Sequence, residues 1–236
     1  MPKIPLIEDL TKGPIPEGNQ LLVEFDPGSQ WYNASAYMAA GWLKTGGSVA
    51  YNALAQSPGQ IRLQLERLGL KTGELEKEDK LRIIDWYSTA LGQKSNEPYY
   101  FESLKVHDLS IYFLKEMQNP EPSPDFLAVA DNLSVQARFN DERAWVEYRL
   151  TRADPARTRT KNKGWGAVST DTHSAWAYRQ LEAGADGIID FKLETSEEVG
   201  EESRTLIRIR FMRNVGFDGR WYPVKMSDNF EITLDK

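Results

Sequence analysis

The sequence predicts an α/β fold with a central, mainly parallel sheet covered by helices on both faces. Three observations lead there. Strand-like apolar runs alternate with amphipathic helical stretches along most of the 236 residues, the pattern of a parallel sheet with helical crossovers. Phe126–Ala130 is apolar throughout, as suits a strand buried on both faces. The tail changes character: in Thr205–Arg213, Leu206, Ile207, Ile209 and Phe211 alternate with Arg208, Arg210 and Arg213, and Phe230–Leu234 follows. That tail reads as antiparallel strands at one sheet edge. The length suits one domain over 1–236.

The elements follow in order. A first strand (Leu21, Leu22, Val23) runs into Asp26-Pro27-Gly28-Ser29, and a helix is expected over Asn33–Leu43 with Gly46-Gly47 as its stop. Ser48–Leu54 is a second strand. Ser57 caps the next helix with Pro58 at its first position; Ile61, Leu65 and Leu68 share one face, and Gly69 ends it. Leu81–Asp85 is a third strand, His107–Met117 is helical, and Asn119–Pro124 is a Pro-rich break. After Phe126–Ala130 and Asp131, Asp141–Leu150 is helical, and Gly164–Ser169 and Gly187–Leu193 are further strands. Glu194–Glu202 is an acidic connection.

Composition narrows the chemistry. The chain has no Cys, which excludes disulfides, thiol catalysis and Cys-based zinc sites. Two histidines, His107 and His173, leave little for a His-rich metal site. The net charge of -6 and a pI near 5.2 argue against a generic nucleic-acid surface. No signal-type apolar region and no run long enough to span a bilayer is present, so a soluble, cytoplasmic chain is expected.

The segment around Gly28 has the strand–loop–helix setting of a phosphate-binding loop without its chemistry. A working loop continues Gly-Lys-Ser/Thr, the lysine meeting the β- and γ-phosphates and the hydroxyl holding Mg²⁺. Here Gln30, Trp31 and Tyr32 follow Ser29. Trp and Tyr carry no cation, and their bulk falls where the phosphates would lie. Phe25, Trp31 and Tyr32 are therefore expected to fill the vacated space, each buried ring contributing ~1.5–3 kcal/mol.

The order of these pieces resembles the KaiC-like branch of the RecA superfamily of ATPases. Leu6–Leu10 followed by Gly13-Pro14-Ile15-Pro16-Glu17-Gly18 is similar to that family's lead-in, and Asp26-Pro27-Gly28-Ser29 to the first half of its Walker A loop. Gln56-Ser57-Pro58 resembles the end of its "FEESPE" segment. Phe126–Phe139 resembles the Walker B strand and its "DSLS" continuation. Asp186-Gly187-Ile188-Ile189, Arg204–Arg213 and Tyr222–Met226 resemble the closing strands. The resemblance covers nearly the whole chain and implies a RecA-like three-layer domain.

The departures fall on the reaction. The first Walker A glycine aligns with Phe25, the glycine before the lysine with Gln30, the lysine with Trp31 and the Mg²⁺ hydroxyl with Tyr32. The paired catalytic glutamates align with Ala55 and Gln56, neither of which can activate water. The lysine of the "K-M-R" segment, which reaches a neighbour's nucleotide, aligns with Phe211; Met212 and Arg213 remain. Asp131, at the Walker B position, is retained, either as a cap or hydrogen-bonding hub or as a relic metal ligand.

These losses imply a non-catalytic, regulatory or scaffolding subunit, with no catalytic residue, no metal and no cofactor. The vestigial nucleotide pocket would comprise Phe25, Asp26, Pro27, Gly28, Ser29, Gln30, Trp31, Tyr32 and Asp131, with Arg213 as a cross-subunit contact. Relatives of this kind assemble as rings or filaments. The resemblance thus implies self-association or pairing with an intact KaiC-like paralogue.

Two alternatives stand beside this. A nucleotide-binding ATPase with an unorthodox loop would take ATP and Mg²⁺ and recruit Arg213 or Lys225 as its cation. A recombinase-like DNA-binding accessory protein would use the run Arg152, Arg157, Arg159, Lys161, Lys163, which otherwise reads as a solvated loop. Trp165 beside that run reads as packed. Ser169–Ser174 sets Ser, Asp and His side by side; it reads as a capped helix start, since triads need spatial adjacency.

Overall fold

The computed structural model describes residues 2–111, 126–159, 161–195 and 203–235. The strands are β1 (Gln20–Phe25), β2 (Ser48–Ala53), β3 (Leu81–Asp85), β4 (Tyr99–Tyr100), β5 (Phe126–Ala130), β6 (Gly164–Ser169), β7 (Gly187–Glu194), β8 (Arg204–Met212), β9 (Tyr222–Met226) and β10 (Ile232–Leu234). They form one sheet in the order β10-β9-β8-β7-β1-β6-β5-β2-β3-β4. β7, β1, β6, β5, β2, β3 and β4 pair in parallel. β8 joins β7 antiparallel, and β9 and β10 continue that way to the edge. This is the expected mainly parallel sheet with antiparallel strands at the C-terminal edge.

The helices are α1 (Ile7–Leu10), α2 (Trp31–Lys44), α3 (Pro58–Arg67), α4 (Thr72–Lys77), α5 (Tyr87–Ala90), α6 (106–111), α7 (Ser134–Ala137), α8 (Glu142–Tyr148), α9 (Asp154–Arg159) and α10 (Ala175–Gly184). A π-helical stretch, Arg149–Ala153, joins α8 to α9.

Strand alternation sorts the side chains into two cores. From β1, Leu21, Val23 and Phe25 face α1, α2 and α3, while Leu22 faces α7, α8 and α10. From β6, Trp165 and Ala167 take the first face and Val168 the second. The result is three layers, helix–sheet–helix. Beneath α2, the buried Tyr51 hydroxyl meets Ser35 Oγ at 3.1 Å, and the Trp165 indole donates to that same oxygen at 3.3 Å. Trp165 is thus packed, as its position suggests.

The arginines of β8 settle its alternation. Arg210 reaches Glu24, Glu182 and Asp190 at 2.7, 2.7 and 3.0 Å, and Arg208 reaches Asp190 at 2.7 Å while lying 4.4 Å from the Trp221 ring. Burial in this cluster pushes the Glu24 carboxyl up to about 7.

Several expectations are adjusted. α2 begins two residues early, which brings Trp31 and Tyr32 into its first turn. The helix after Asp141 runs on through the π-helical stretch into α9, so the first part of the basic run is helical rather than a loop. Leu150 packs partly buried in the second core, and an Arg149–Asp154 ion pair ties the π-helical stretch to α9. His107–Met117 is helical as far as residue 111; its remainder, the Pro-rich break and residues 196–202 lie outside the described residues. The last strand starts at Ile232 rather than Phe230, whose φ of 61° breaks extension. Ser57 caps α3 as read, accepting from the Gln60 N–H while Gln60 Oε1 accepts the Ser57 N–H.

β5 and β6 approach so closely at Gly164 that a Cβ there would lie 2.3 Å from the Ala128 carbonyl oxygen. Backbone cannot yield as a flexible side chain can. Gly164→Ala should therefore cost about 1–3 kcal/mol, measured by urea denaturation; a cost near zero would mean that the two strands part freely.

Candidate functional site

The loop after β1 sits at the carboxyl ends of the parallel strands, where α/β sheets place ligands. Its backbone is tied down from several sides. Asp26 Oδ1 accepts the Thr170 hydroxyl at 2.6 Å, and Oδ2 accepts the Leu193 N–H at 2.9 Å. Gly28 takes φ +86°, a conformation open to glycine. The Gln30 N–H donates to Thr205 Oγ1 at 2.9 Å, and Gln30 Oε1 accepts from Asn33 at 2.7 Å. An amide that opens a helix, and so faces an anion in a phosphate loop, is here bonded to a threonine.

Trp31 is fully buried. Its ring stacks on Phe25 at 5.8 Å and meets the Phe191 ring edge-on at 5.2 Å. Its indole N–H donates to the Asp131 carbonyl at 2.7 Å. Tyr32 sets its ring edge-on to Phe25 at 5.5 Å, and its hydroxyl accepts from Asn132 Nδ2 at 3.2 Å. Phe25, Trp31 and Tyr32 thus form one aromatic group, completed by Phe191.

Asp131 directly follows β5, with its carboxylate fully buried. Oδ1 accepts the N–H groups of Leu54 and Ala55 at 2.9 and 3.1 Å; Oδ2 accepts those of Ala55 and Gln56 at 3.3 and 3.1 Å. Ala55 and Gln56, the two positions aligned with paired glutamates, are therefore bound through their backbone to Asp131. Burial outweighs these donors and pushes the Asp131 carboxyl up to about 6.

The outlying candidates lie apart. Arg213 follows β8 and bonds the Asp186 carbonyl through its N–H at 2.7 Å. That is the start of β7, which pairs with Leu21 at the start of β1. Arg213 is thus separated from its own loop by the length of β1, about 17 Å at ~3.3 Å per residue. Lys225 pairs with Asp235 at 2.8 Å on β9, three strands from β1. Lys163 lies 5.4 Å from the Trp42 ring, away from the loop. Ser174 caps α10, accepting the Ala177 N–H at 3.2 Å, which makes Ser169–Ser174 the capped helix start expected.

Phe191, Thr170 and Thr205 were not legible as parts of this site. Phe191 and Thr205 arrive from β7 and β8 and Thr170 from just past β6, all more than 140 residues further along the chain, and no local signal marks them.

Two outcomes follow. Trp31→Ala should cost ~3–5 kcal/mol, as large buried deletions do; a cost within ~0.5 kcal/mol in a denaturant titration would mean that the ring carries no packing load. Asp131 has a folded pKa above its ordinary 3.8, so the folded state holds the proton more tightly than the unfolded chain. That contribution is complete below the unfolded value and is lost as pH rises through about 6. The stability of the wild type relative to Asp131→Asn should fall between pH 4 and pH 7, by on the order of 2–3 kcal/mol. A flat difference in paired melts would contradict it.

No family model matches the chain. It is 25% identical over 234 residues to a UPF0273 protein of Thermotoga maritima, covering 95% of this chain and 91% of that protein. A UPF0273 protein of Aeropyrum pernix is 26% identical over 226 residues, covering 95% and 89%. The fold is similar to that of the KaiC-like protein PH0186 of Pyrococcus horikoshii, with a TM-score of 0.74 at 19% identity over 100% of this chain and 97% of that one. The flagellar accessory protein FlaH of Methanocaldococcus jannaschii gives 0.71 at 14% identity over 97% and 94%. No helix of the described residues is long and apolar enough to cross a membrane. The chain resembles the KaiC-like branch of the RecA superfamily along its length and has the fold of that branch.

Proposed function

We propose that this protein is a KaiC-like pseudo-ATPase, a regulatory or scaffolding subunit that acts through protein contacts and does not turn over ATP. The observation that carries the reading is the buried Trp31 ring at the lysine position, bonded to the Asp131 carbonyl. Three features support it. A triphosphate has no cation to meet at Trp31. The Asp131 carboxylate already accepts three backbone N–H groups, so it fits a structural role better than Mg²⁺, which leans on phosphates and on carboxylates. Ala55 and Gln56 supply no carboxylate base. The residues present do not fit ATP and Mg²⁺.

The partner is a second copy or an intact KaiC-like paralogue. Strand β4, outermost among the described strands at its edge, offers a surface for it, with Tyr99 and Tyr100 both 42% exposed.

Mg-ATP should leave the melting temperature unchanged. Ligand at ~100 times its dissociation constant stabilises a fold by ~2.7 kcal/mol, so a clear upward shift would refute the reading. Phosphate release should stay at background; steady turnover that Asp131→Ala abolishes would refute it too. Replacing Gln30, Trp31 and Tyr32 together by Gly, Lys and Thr supplies the missing groups but empties a packed space. The triple variant should be less stable and bind nucleotide weakly without turnover. An unaltered denaturation midpoint would count against the filled pocket.

A further inference from the structure

We propose that Ser134, His173 and Glu142 form a separate acyl-transfer site, with Ser134 as nucleophile, for small esters that carry an anionic group. The three come from different elements: Ser134 opens α7 just past β5, Glu142 opens α8, and His173 precedes the cap of α10. Ser134 Oγ lies 2.8 Å from His173 Nε2, and His173 Nδ1 lies 3.4 Å from Glu142 Oε1. All three line one cavity of about 380 Å³, within the range of small-molecule sites. Nucleophile, base and orienting carboxylate in a chain are recognised by geometry and role rather than by sequence order. The base–carboxylate contact is long, as such contacts are before substrate binds.

Each group is oriented for its role. The His173 ring stacks on Trp145 at 5.0 Å and 16°, with Tyr178 edge-on at 5.6 Å. Glu142 Oε1 is held by the Ser174 N–H at 2.9 Å. A carboxylate facing Nδ1 places the ring proton there and leaves Nε2 free to take the proton of Ser134. Burial holds the His173 pKa below its ordinary value, so the ring is a neutral base at neutral pH. Ser134 Oγ accepts the Ser169 N–H at 3.0 Å. Thr172 also approaches it, at 3.3 Å, but gives its one proton to the Ser169 carbonyl at 2.7 Å. One lone pair of Ser134 therefore remains for attack. Arg138 lines the same cavity and makes no ion pair with any described residue, which selects an anionic substrate.

The step balances within the site. Ser134 Oγ bonds to the ester carbonyl carbon as its proton moves to His173 Nε2. The carbon–alkoxide bond breaks, and the alkoxide leaves with that proton. Water then attacks the acyl-serine, passes a proton through His173 to Ser134 Oγ, and releases the acid. No oxidant, metal or nucleotide is required, so this proposal and the loss of ATPase chemistry stand or fall separately.

The test is labelling of the full chain with a fluorophosphonate, mapped by peptide mass spectrometry. Ser134 should take the label, Ser134→Ala should not, and His173→Gln should label about 100-fold more slowly, the scale of general-base help. The ratio of kcat/KM for mono-4-nitrophenyl succinate over 4-nitrophenyl acetate should fall about tenfold in Arg138→Gln, the loss of one charge contact. An unlabelled wild type overturns the proposal whatever the variants do, as does a label elsewhere that persists in Ser134→Ala. Equal labelling of a folded His173→Gln chain removes the base from the scheme, and an unchanged ester ratio in Arg138→Gln removes the anionic substrate class.

Discussion

The hydrogen bond from the Trp31 indole to the Asp131 carbonyl is the joint on which this end of the molecule depends. A buried indole N–H without an acceptor costs on the order of 1–3 kcal/mol. Asp131 supplies the acceptor through its backbone and, through its side chain, gathers the N–H groups of Leu54, Ala55 and Gln56. One residue thereby fixes the start of α2, the end of β5 and the turn between β2 and α3. A phosphate loop needs the same volume open and the same carboxylate available to a metal. The two arrangements exclude each other.

The electrostatics follow the same logic. A phosphate-binding loop presents unpaired N–H groups to an anion. Here the Gln30 N–H is given to Thr205, and a carboxylate, Asp26, sits within the loop between Thr170 and Leu193. Thr170, Leu193 and Thr205 hold the loop through Asp26 and the Gln30 N–H, while the buried Ser29 Oγ has no hydrogen-bond partner among the described residues. Within Asp-Pro-Gly-Ser, the conformation at Gly28 and the hydrogen bonds of Asp26 hold the turn.

The sheet was legible because its signals are local. Phe126–Ala130 is apolar throughout, Ser57-Pro58 caps a helix, and Leu206, Ile207 and Ile209 alternate with arginines; each determines its element from within a few residues. What failed was non-local or marginal. β4 is two residues long and follows no periodicity. The helical continuation to Arg159 overrode a basic, Pro-containing stretch that reads as a loop. At the site, Trp31 and Tyr32 stand out in the loop sequence, but their partner Phe191 lies on the neighbouring strand β7, far along the chain. The contact of His173 with Ser134 spans 39 residues and gives no sequence signal.

The carboxyl ends of parallel strands collect functional groups whatever the chemistry, because chain direction changes there and side chains are presented together. Packing at the β1 end is part of the first core, because Phe25, Trp31 and Phe191 belong to it, so rebuilding that end trades against stability. Trp31 at the β1 end also bears on the neighbouring strand end. Asn132 links the filled side to the next strand, donating to both the Tyr32 hydroxyl and Ser169 Oγ. The aromatic group thereby steadies the wall of the neighbouring cavity that Ser134 and His173 line. The packed β1 end and the organised pocket at the next strand end share one set of contacts, through which the aromatic residues hold the cavity wall in place.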